Sequence, residues 1–312
     1  MPKPLFLFPD QINLYENYVM SDQKINTNFY NFKVGKFDCI SVSDGTFDYD
    51  PLHLFPALTD DQVIEVLSSR QLRTDKIVSP YSFLYVDTGK HKVLCDMGAG
   101  KLGPNTGQYV QNLKLAGVQP EEIDVIFITH AHPDHIGGTL DSEGRPNYPN
   151  ARYYMWKDEW DFWFSDEAFQ KVVDHYSAIV QPEIFMKAAR GQLGPVRDRI
   201  ELLTEESEVL PGVCVHATPG HTPGHMAVSF QSEGEEIFFV GDALVFPFLI
   251  ERPDILPIFD IIPEMADATK RRLCDLLAER QAWALVQHFY PFPSLGHIVK
   301  QGEGWLWQPV LI

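Results

Sequence analysis

The stretch FITHAHPDHIGGTL, residues 127–140, decides how this chain is to be interpreted. It places three histidines and one aspartate within six positions, directly after the apolar run VIFIT at 125–129. Pro133 and Thr129 disfavour a helix across the histidines, so we predict a turn that presents several side chains at the end of a buried strand. Imidazole and carboxylate groups at this density are typical of a metal site.

Further candidate ligands follow apolar runs in the same way. VCVHATPG leads to His221, IFFVG leads to Asp242, and WALVQ leads to His288. Because the loops at strand ends converge on one crevice in layered α/β proteins, we expect these side chains to meet. The residues alone do not choose between His221 and His225, or between His288 and His297.

The number of donors predicts two metal ions. One tetrahedral ion cannot use all of these groups, whereas two ions can, with Asp242 giving one carboxylate oxygen to each. Two such ions hold a bridging hydroxide that is nucleophilic at neutral pH. Imidazole and carboxylate suit zinc, and also manganese, iron or cobalt.

Composition excludes several classes of partner. The 312 residues include 43 acidic and 25 basic ones, for a formal charge of −18. Nucleic acid and anionic membrane surfaces need a basic protein, so neither is expected as a partner. The opening MPKPLFLFPDQ is too short an apolar segment for a signal peptide. Cys39, Cys95, Cys214 and Cys274 form no CxxC pair, which predicts free thiols and a cytoplasmic protein.

Hydrophobic patterning predicts one α/β domain over residues 34–312, preceded by an N-terminal arm at residues 1–33. The pattern predicts strands at 37–45, at 81–98 (a hairpin that turns at 87–90), and at 125–129, 151–156, 213–217, 226–231, 237–240 and 283–287. It predicts helices at 107–116, at 157–173 and at 267–281, the last with Asp267 as its N-cap.

The motifs together resemble those of the metallo-β-lactamase superfamily. HAHPDH at 130–135 is similar to its HxHxDH signature, and LCDMGAG (94–100), TPGHTPGH (218–225) and FVGDAL (239–244) follow in the family's order. The likeness covers about residues 34–300. SVSDGTF (41–47), DFWFS (161–165) and QHFYPFPSLGHI (287–298) resemble the methyl parathion hydrolase-like branch, and the predicted metal site is similar to that of the acyl-homoserine lactonases. The resemblance implies an αββα sandwich, in which helices flank two mixed β-sheets.

The resemblance also assigns roles to particular residues. One metal would be bound by His130, His132 and His221, and the other by Asp134, His135 and His288, with Asp242 as the bridge. Asp134 and Asp242 would hold the bridging hydroxide and are the predicted catalytic residues. Behind the ligands, Asp96 is predicted to brace a loop and His225 to make structural hydrogen bonds. Trp163, Phe246 and His297 are the predicted substrate contacts.

The implied activity is hydrolysis of a neutral ester, above all a lactone such as an acyl-homoserine lactone, which is a quorum signal. The alternative is a phosphotriester hydrolase of the methyl parathion type, and a third reading is a non-catalytic metal-binding protein. Many lactonases of this kind carry a tyrosine three residues after the bridging aspartate, where this chain has Val245. The resemblance further implies a homodimer.

Overall fold

In the computed structural model, residues 28–167, residue 170 and residues 183–312 are described. The strands are β1 Phe29–Val34, β2 Phe37–Tyr49, β3 Ile77–Asp87, β4 Lys92–Cys95, β5 Val125–Ile128, β6 Arg152–Trp156, β7 Ile200–Leu203, β8 Ser207–Leu210, β9 Val213–Ala217, β10 Met226–Ser232, β11 Glu235–Phe239, β12 Trp283–Leu285, β13 Leu295–Gln301 and β14 Gly304–Pro309. The helices are α1 Asp60–Ser68, α2 Tyr109–Leu115, α3 Pro133–Ile136, α4 Lys157–Phe164, α5 Glu183–Leu193, α6 Pro247–Glu251 and α7 Pro263–Arg280.

The described strands form two mixed sheets. The first has the order β1-β2-β3-β4-β5-β6-β7, and the second the order β14-β13-β12-β11-β10-β9-β8. In the first sheet β1 to β4 are antiparallel, and β4 to β7 are parallel. In the second sheet only β11 and β12 pair in parallel. The predicted hairpin at 87–90 joins β3 to β4, and Gly89 supplies the positive φ of 79° that its turn requires.

The two sheets pack face to face over one apolar core. Phe83 of β3 meets Phe239 of β11 with ring centroids 6.4 Å apart, and both are fully buried. The hydroxyls of Ser82 on β3 and Ser294 beside β13 lie 2.8 Å apart and also link the two halves of the fold. Helices cover the outer faces, since α2 packs on β2 and α7 packs on β13. This is the αββα sandwich predicted from the sequence motifs.

Two predicted boundaries are wrong. Residues 29–33 of the predicted arm belong to β1, which pairs with β2, whereas residues 1–27 lie outside the described residues. The last predicted helix begins at Pro263, not beside Asp267. Proline suits a first helical position because its missing N–H has no partner there. Asp267 lies inside the helix and accepts a hydrogen bond from Arg271 Nε at 2.9 Å.

The described residues of the predicted helix at 157–173 are helical except at Ser165, where the helix is broken. α4 ends at Phe164, Ser165 has an extended conformation, and residues 168, 169 and 171–173 lie outside the described residues. No helix in the described ranges combines the length and the apolar character needed to cross a membrane.

Candidate metal centre

The 127–140 stretch folds as a strand end followed by a single turn of helix. Buried β5 ends at Ile128, and Pro133 then begins α3, so the predicted turn contains four helical residues. Proline is compatible with this position, and His132 before it is extended. The short helix places the His135 ring 4.0 Å from the His130 ring and Asp134 Oδ2 3.6 Å from His135 Nε2.

The first group of candidate ligands consists of His130, His132, His221 and Asp242, all buried, with one donor atom of each within 4.8 Å of the others. Nε2 of His221 lies 2.9 Å from Nδ1 of His132 and 3.3 Å from Oδ2 of Asp242. His221 arrives from the loop after β9 and Asp242 from the turn after β11. Three different strand ends therefore meet at this point, as the sequence predicts.

The second group consists of Asp134, His135, Asp242 and His288, with donor atoms equally close together. Oδ1 of Asp242 lies 3.1 Å from Nε2 of His135 and 3.1 Å from Nε2 of His288. Both of these nitrogens lie 3.6 Å from Oδ2 of Asp134. Asp242 thus presents one carboxylate oxygen to each group. We call the seven residues of the two groups the ligand cluster.

Several donor atoms of the ligand cluster lack the partners that buried polar atoms normally have. His130 Nε2, His135 Nε2 and Asp242 Oδ1 are buried without a hydrogen bond among the described residues. A buried polar atom left unpaired costs about 1–3 kcal/mol, and these three are grouped at one point. Neutral imidazole and carboxylate are the donors that zinc and related ions use, so the residues present fit a metal site.

The electrostatics of the ligand cluster are strongly perturbed. Burial, together with the neighbouring imidazoles, lowers the pKa of His130 well below its ordinary value. Burial also acts to lower the pKa of His135, but nearby carboxylates outweigh it and raise that pKa well above the ordinary value. Burial opposes ionisation of Asp242, yet the adjacent imidazoles of His288, His135 and His221 hold its pKa well below its usual range. Asp242 is therefore an anion at neutral pH.

The outer ring nitrogens of the histidines are fixed by hydrogen-bonding partners. Asp96 Oδ2 lies 2.7 Å from Nδ1 of His135, and it also accepts a hydrogen bond from the Thr129 hydroxyl at 2.7 Å. Asp260 Oδ1 lies 3.0 Å from Nδ1 of His221. Such contacts fix the tautomer and orientation of a metal-binding imidazole. Asp96 thus lies where its predicted bracing role requires, whereas Asp260 was missed because no motif surrounds it.

His225 points away from both groups. Its Nδ1 lies 2.7 Å from the Thr218 hydroxyl, and its Nε2 accepts a hydrogen bond from the backbone N–H of Asp242 at 3.0 Å. A Cβ at Gly241 would lie 2.8 Å from that Nε2, so the residue before Asp242 must be glycine. This geometry leaves His221, rather than His225, in the ligand cluster.

Glu159 of α4 ties together the two loops that carry the first group. This buried carboxylate accepts hydrogen bonds from Ala131 N at 3.0 Å, from Gly224 N at 3.1 Å and from the Thr222 hydroxyl. A Cβ at Gly224 would lie 2.0 Å from the backbone nitrogen of Glu159, which explains the glycine there. Glu159 was not among the predicted site residues, although an acidic residue within an aromatic helical segment could have indicated it.

The ligand cluster opens into a cavity of about 280 Å³. Besides members of the cluster, the described lining residues are hydrophobic or phenolic, and we call them the cavity wall. They are Phe47, Tyr49, Tyr81, Leu102, Pro133, Ile184, Phe185, Val245, Phe246 and Phe259. No lysine or arginine belongs to this described lining.

Of the three predicted substrate contacts, the structure brings only Phe246 to the cavity. Trp163 is fully buried, packs beneath the His132 ring at 5.6 Å and donates its indole N–H to Glu159 Oε1 at 2.6 Å. His297 of β13 lies against the Trp283 ring at 4.0 Å, and its Nδ1 lies 3.0 Å from the Ala282 carbonyl oxygen. His297 lies beside the first residue of β12, whereas His288 follows the last one, so His297 is at the far end of that strand from the ligand cluster and its predicted substrate contact is corrected.

The fold and the motif residues agree with a sequence-family match. The model of the metallo-β-lactamase superfamily matches residues 77–288, and the chain belongs to that superfamily of metal-dependent hydrolases. An N-acyl homoserine lactonase from a Bacillus species is 28% identical over 196 residues, which make up 62% of this chain and 64% of that relative. The match thus spans somewhat less than two thirds of the relative's length.

Two solved structures are similar to nearly the whole chain. AidC, described as a dizinc quorum-quenching lactonase in complex with a product, has a TM-score of 0.85 and 25% identity, and the match covers 91% of this chain and 98% of AidC. AbOPH, described as a hydrolase in the β-lactamase superfamily, has a TM-score of 0.84 and 27% identity, with coverage of 93% and 99%.

Proposed function

We propose that this protein is a dinuclear metal-dependent hydrolase of neutral esters, with a lactone such as an acyl-homoserine lactone as its preferred substrate. One observation carries the proposal. Two groups of metal-type ligands share Asp242 and lie beside an otherwise apolar cavity. The donor atoms of the ligand cluster are therefore polar and held in fixed positions, whereas the cavity that would bind the substrate is mostly hydrophobic.

The proposed cofactors are two divalent ions, most simply zinc, with His130, His132 and His221 holding one and Asp134, His135 and His288 the other. The donor types support zinc, and the similarity to a dizinc lactonase supports both the metal and the count. When bound, such a pair lowers the pKa of a shared water toward neutrality and polarises an ester oxygen.

The two aspartates have distinct proposed roles. Asp242 lies between the two groups of ligands, so its negative charge would offset part of the positive charge of the two bound ions. Asp134 lines the cavity, and Gln287 Nε2 donates a hydrogen bond to its Oδ2 at 3.1 Å. This hydrogen bond fixes the carboxylate, which is therefore oriented to accept a proton from the attacking water.

The cavity wall supports an uncharged substrate. A charged group buried away from the metal ions needs a cationic side chain as its partner, and the described lining contains no lysine or arginine. The formal charge of −18 also repels anions. The aliphatic and aromatic wall is suited to an acyl chain.

A phosphotriester is the second candidate substrate. Phe47, Phe246 and Phe259 line the cavity together, and such rings can stack on an aryl leaving group. A phosphotriester is also neutral and presents a polarised oxygen, so the same ligand cluster suits it.

The test compares kcat/KM for a long-chain acyl-homoserine lactone with that for an aryl phosphotriester on one zinc-loaded preparation. We expect the lactone value to exceed the phosphotriester value by at least about 100-fold, which corresponds to about 2.7 kcal/mol. The reverse order would replace the lactone with the phosphotriester. No turnover of either substrate would reject both proposed substrates, and thioesters and other esters would then be assayed on the same preparation.

We also propose a cytoplasmic homodimer in which residues 1–27 take part in assembly, with one domain over the rest of the chain. The four cysteines are free, which supports a reducing compartment. To test whether the arm takes part in assembly, residues 1–27 would be removed and the mass of the protein in solution measured. A dimer of unchanged stability in the truncated protein would contradict its role.

A further inference from the structure

Two phenols of the cavity wall, Tyr49 and Tyr81, have no assigned role in the reaction. Among the described lining residues, they are the only side-chain hydrogen-bond donors outside the ligand cluster. Their hydroxyl oxygens lie 2.6 Å apart, which is a short hydrogen bond between phenols. The cavity thus contains one polar pair on an otherwise apolar wall.

The strands and neighbouring rings fix this pair beside the second group of ligands. Tyr49 ends β2 and Tyr81 lies within the adjacent β3. The ring of Tyr81 packs edge-on against His288 at 5.1 Å, and that of Tyr49 packs edge-on against Phe246 and Phe259, both at 5.7 Å. Rings held in this way have few accessible rotamers, so the hydroxyls are held in place before a substrate binds.

Burial decides which phenol donates the shared hydrogen bond. Both residues line the cavity, but Tyr81 is fully buried, whereas Tyr49 is partly exposed. If Tyr49 donated, the proton of Tyr81 would be left unpaired in a buried site, at a cost of about 1–3 kcal/mol. Tyr81 therefore donates to Tyr49, and the proton of Tyr49 remains available to a third atom. Burial, together with the charge of Asp134, raises the pKa of Tyr49 well above its ordinary value.

We propose that Tyr49, held in place by Tyr81, donates a hydrogen bond to the substrate oxygen that gains negative charge during ester hydrolysis. This inference rests on the proposed function, because it needs a substrate whose carbonyl or phosphoryl group lies over the ligand cluster. No proton is transferred, and the phenol only stabilises charge that develops next to it. Tyr49 would contact the reacting atoms, and Tyr81 is a positioning residue.

The test uses Tyr49→Phe, which keeps the ring and removes only the hydroxyl. We expect kcat to fall about 10- to 100-fold, because one donor to a developing oxyanion is lost, with KM changed less than about threefold. Tyr81→Phe should lower kcat by about three- to tenfold, and the double variant should be no worse than Tyr49→Phe alone, because the two hydroxyls act as a unit. Tyr85→Phe, on the same strand but outside the described cavity lining, is the matched control and should change neither constant.

Ligand binding provides a readout apart from activity. Calorimetry on the zinc-loaded protein would compare an anionic tetrahedral phosphonate analogue with the neutral lactam, in which nitrogen replaces the ring oxygen. Tyr49→Phe should weaken phosphonate binding about tenfold or more and leave lactam binding within about twofold, because the hydrogen bond is to developed charge.

Two results would overturn the inference. Unchanged kcat and phosphonate affinity in Tyr49→Phe would show that the hydroxyl does not contact the reacting oxygen. Loss of bound zinc in Tyr49→Phe, with Tyr85→Phe intact, would make the phenol a support of the metal centre instead. Failure of the proposed function is distinguishable, because the wild-type protein itself would then hydrolyse neither ester.

Discussion

The ligand cluster and the cavity wall are neighbours, but their residues are held by opposite kinds of force. In the cluster, His135 and His221 are each fixed by a buried carboxylate, at 2.7 Å and 3.0 Å. In the wall, Phe246 contacts Tyr49 and Phe248 only through ring packing. Coordination requires particular atoms at particular points, whereas an apolar wall requires volume and shape. We therefore expect the cluster to determine the type of reaction and the rings and aliphatic side chains of the wall to determine the substrate, with the Tyr49–Tyr81 pair as the one part of the wall that serves the reaction.

The largest effect should come from the residue shared by both groups. Asp242→Asn removes the bridging charge and one oxygen ligand, so we expect kcat/KM to fall on the order of 1,000-fold or more. Asp275→Asn, an exposed change on α7, is the control and should leave activity unaltered. If Asp242→Asn kept more than about a tenth of the wild-type activity in steady-state assays, the dinuclear account would be contradicted.

A smaller and more selective effect should come from the carboxylates behind the histidines. Asp260→Asn should weaken one bound ion through His221, and Asp96→Asn should weaken the other through His135, each by about 10- to 100-fold. Zinc titrations of the two variants followed by calorimetry would measure this. Equal weakening of both ions in either variant would show that the two groups are not separable as the structure implies.

A change in the wall should alter substrate recognition and leave the metals in place. Phe246→Leu keeps an apolar side chain but loses a ring that faces the cavity, so we expect KM for the lactone to rise about three- to tenfold with kcat nearly constant. Phe248→Leu, which changes the ring stacked behind Phe246, is the matched control. A drop in metal content in Phe246→Leu would show that the wall also supports metal binding, which would contradict the separation of wall and cluster.

The smallest effect is expected at His297. Its ring lies on Trp283 and outside the described cavity lining. His297→Ala should therefore change kcat/KM less than about twofold and lower the free energy of unfolding by about 1 kcal/mol, from lost packing and one hydrogen bond. Denaturant unfolding and steady-state kinetics measure the two quantities. A tenfold loss of kcat/KM would restore His297 as a substrate contact.

The sequence predicts well which side chains come together in the ligand cluster, because the residue types that can bind a metal are few and are recognisable within a short motif. The candidate ligands follow apolar strands at positions such as His130 and Asp242. A strand end places the ligand without any knowledge of distant contacts. For the same reason the core strands β2 to β6 and β9 to β12 fall close to their predicted positions.

The sequence predicts the cavity wall poorly because a wall has no required residue type. Tyr49 comes from β2, Tyr81 from β3, Ile184 from α5 and Phe259 from the loop before α7. In the sequence each resembles any other hydrophobic or aromatic residue, and its place in the wall appears only when the sheets are assembled. Trp163 shows the opposite error. It was predicted to contact the substrate because it is aromatic and near the ligands, but it is buried in the core.

Short edge elements escape sequence prediction for a related reason. β7 and β8 have four residues each, with partly exposed side chains and no clear alternation. Their pairing with β6 and β9 supplies the hydrogen bonds that define them. Asp260 and Glu159 likewise gain their roles only from tertiary contacts with the loops that they hold.

The most direct test of this account is the number of metal ions that each chain binds. Metal-free protein, prepared with a chelator and dialysed, would be titrated with zinc, and bound metal and recovered hydrolytic activity would be measured together. The account predicts two ions per chain, with full activity only when both are present, and one ion per chain in Asp242→Asn. Full activity with a single ion, or activity that survives removal of all metal, would contradict it.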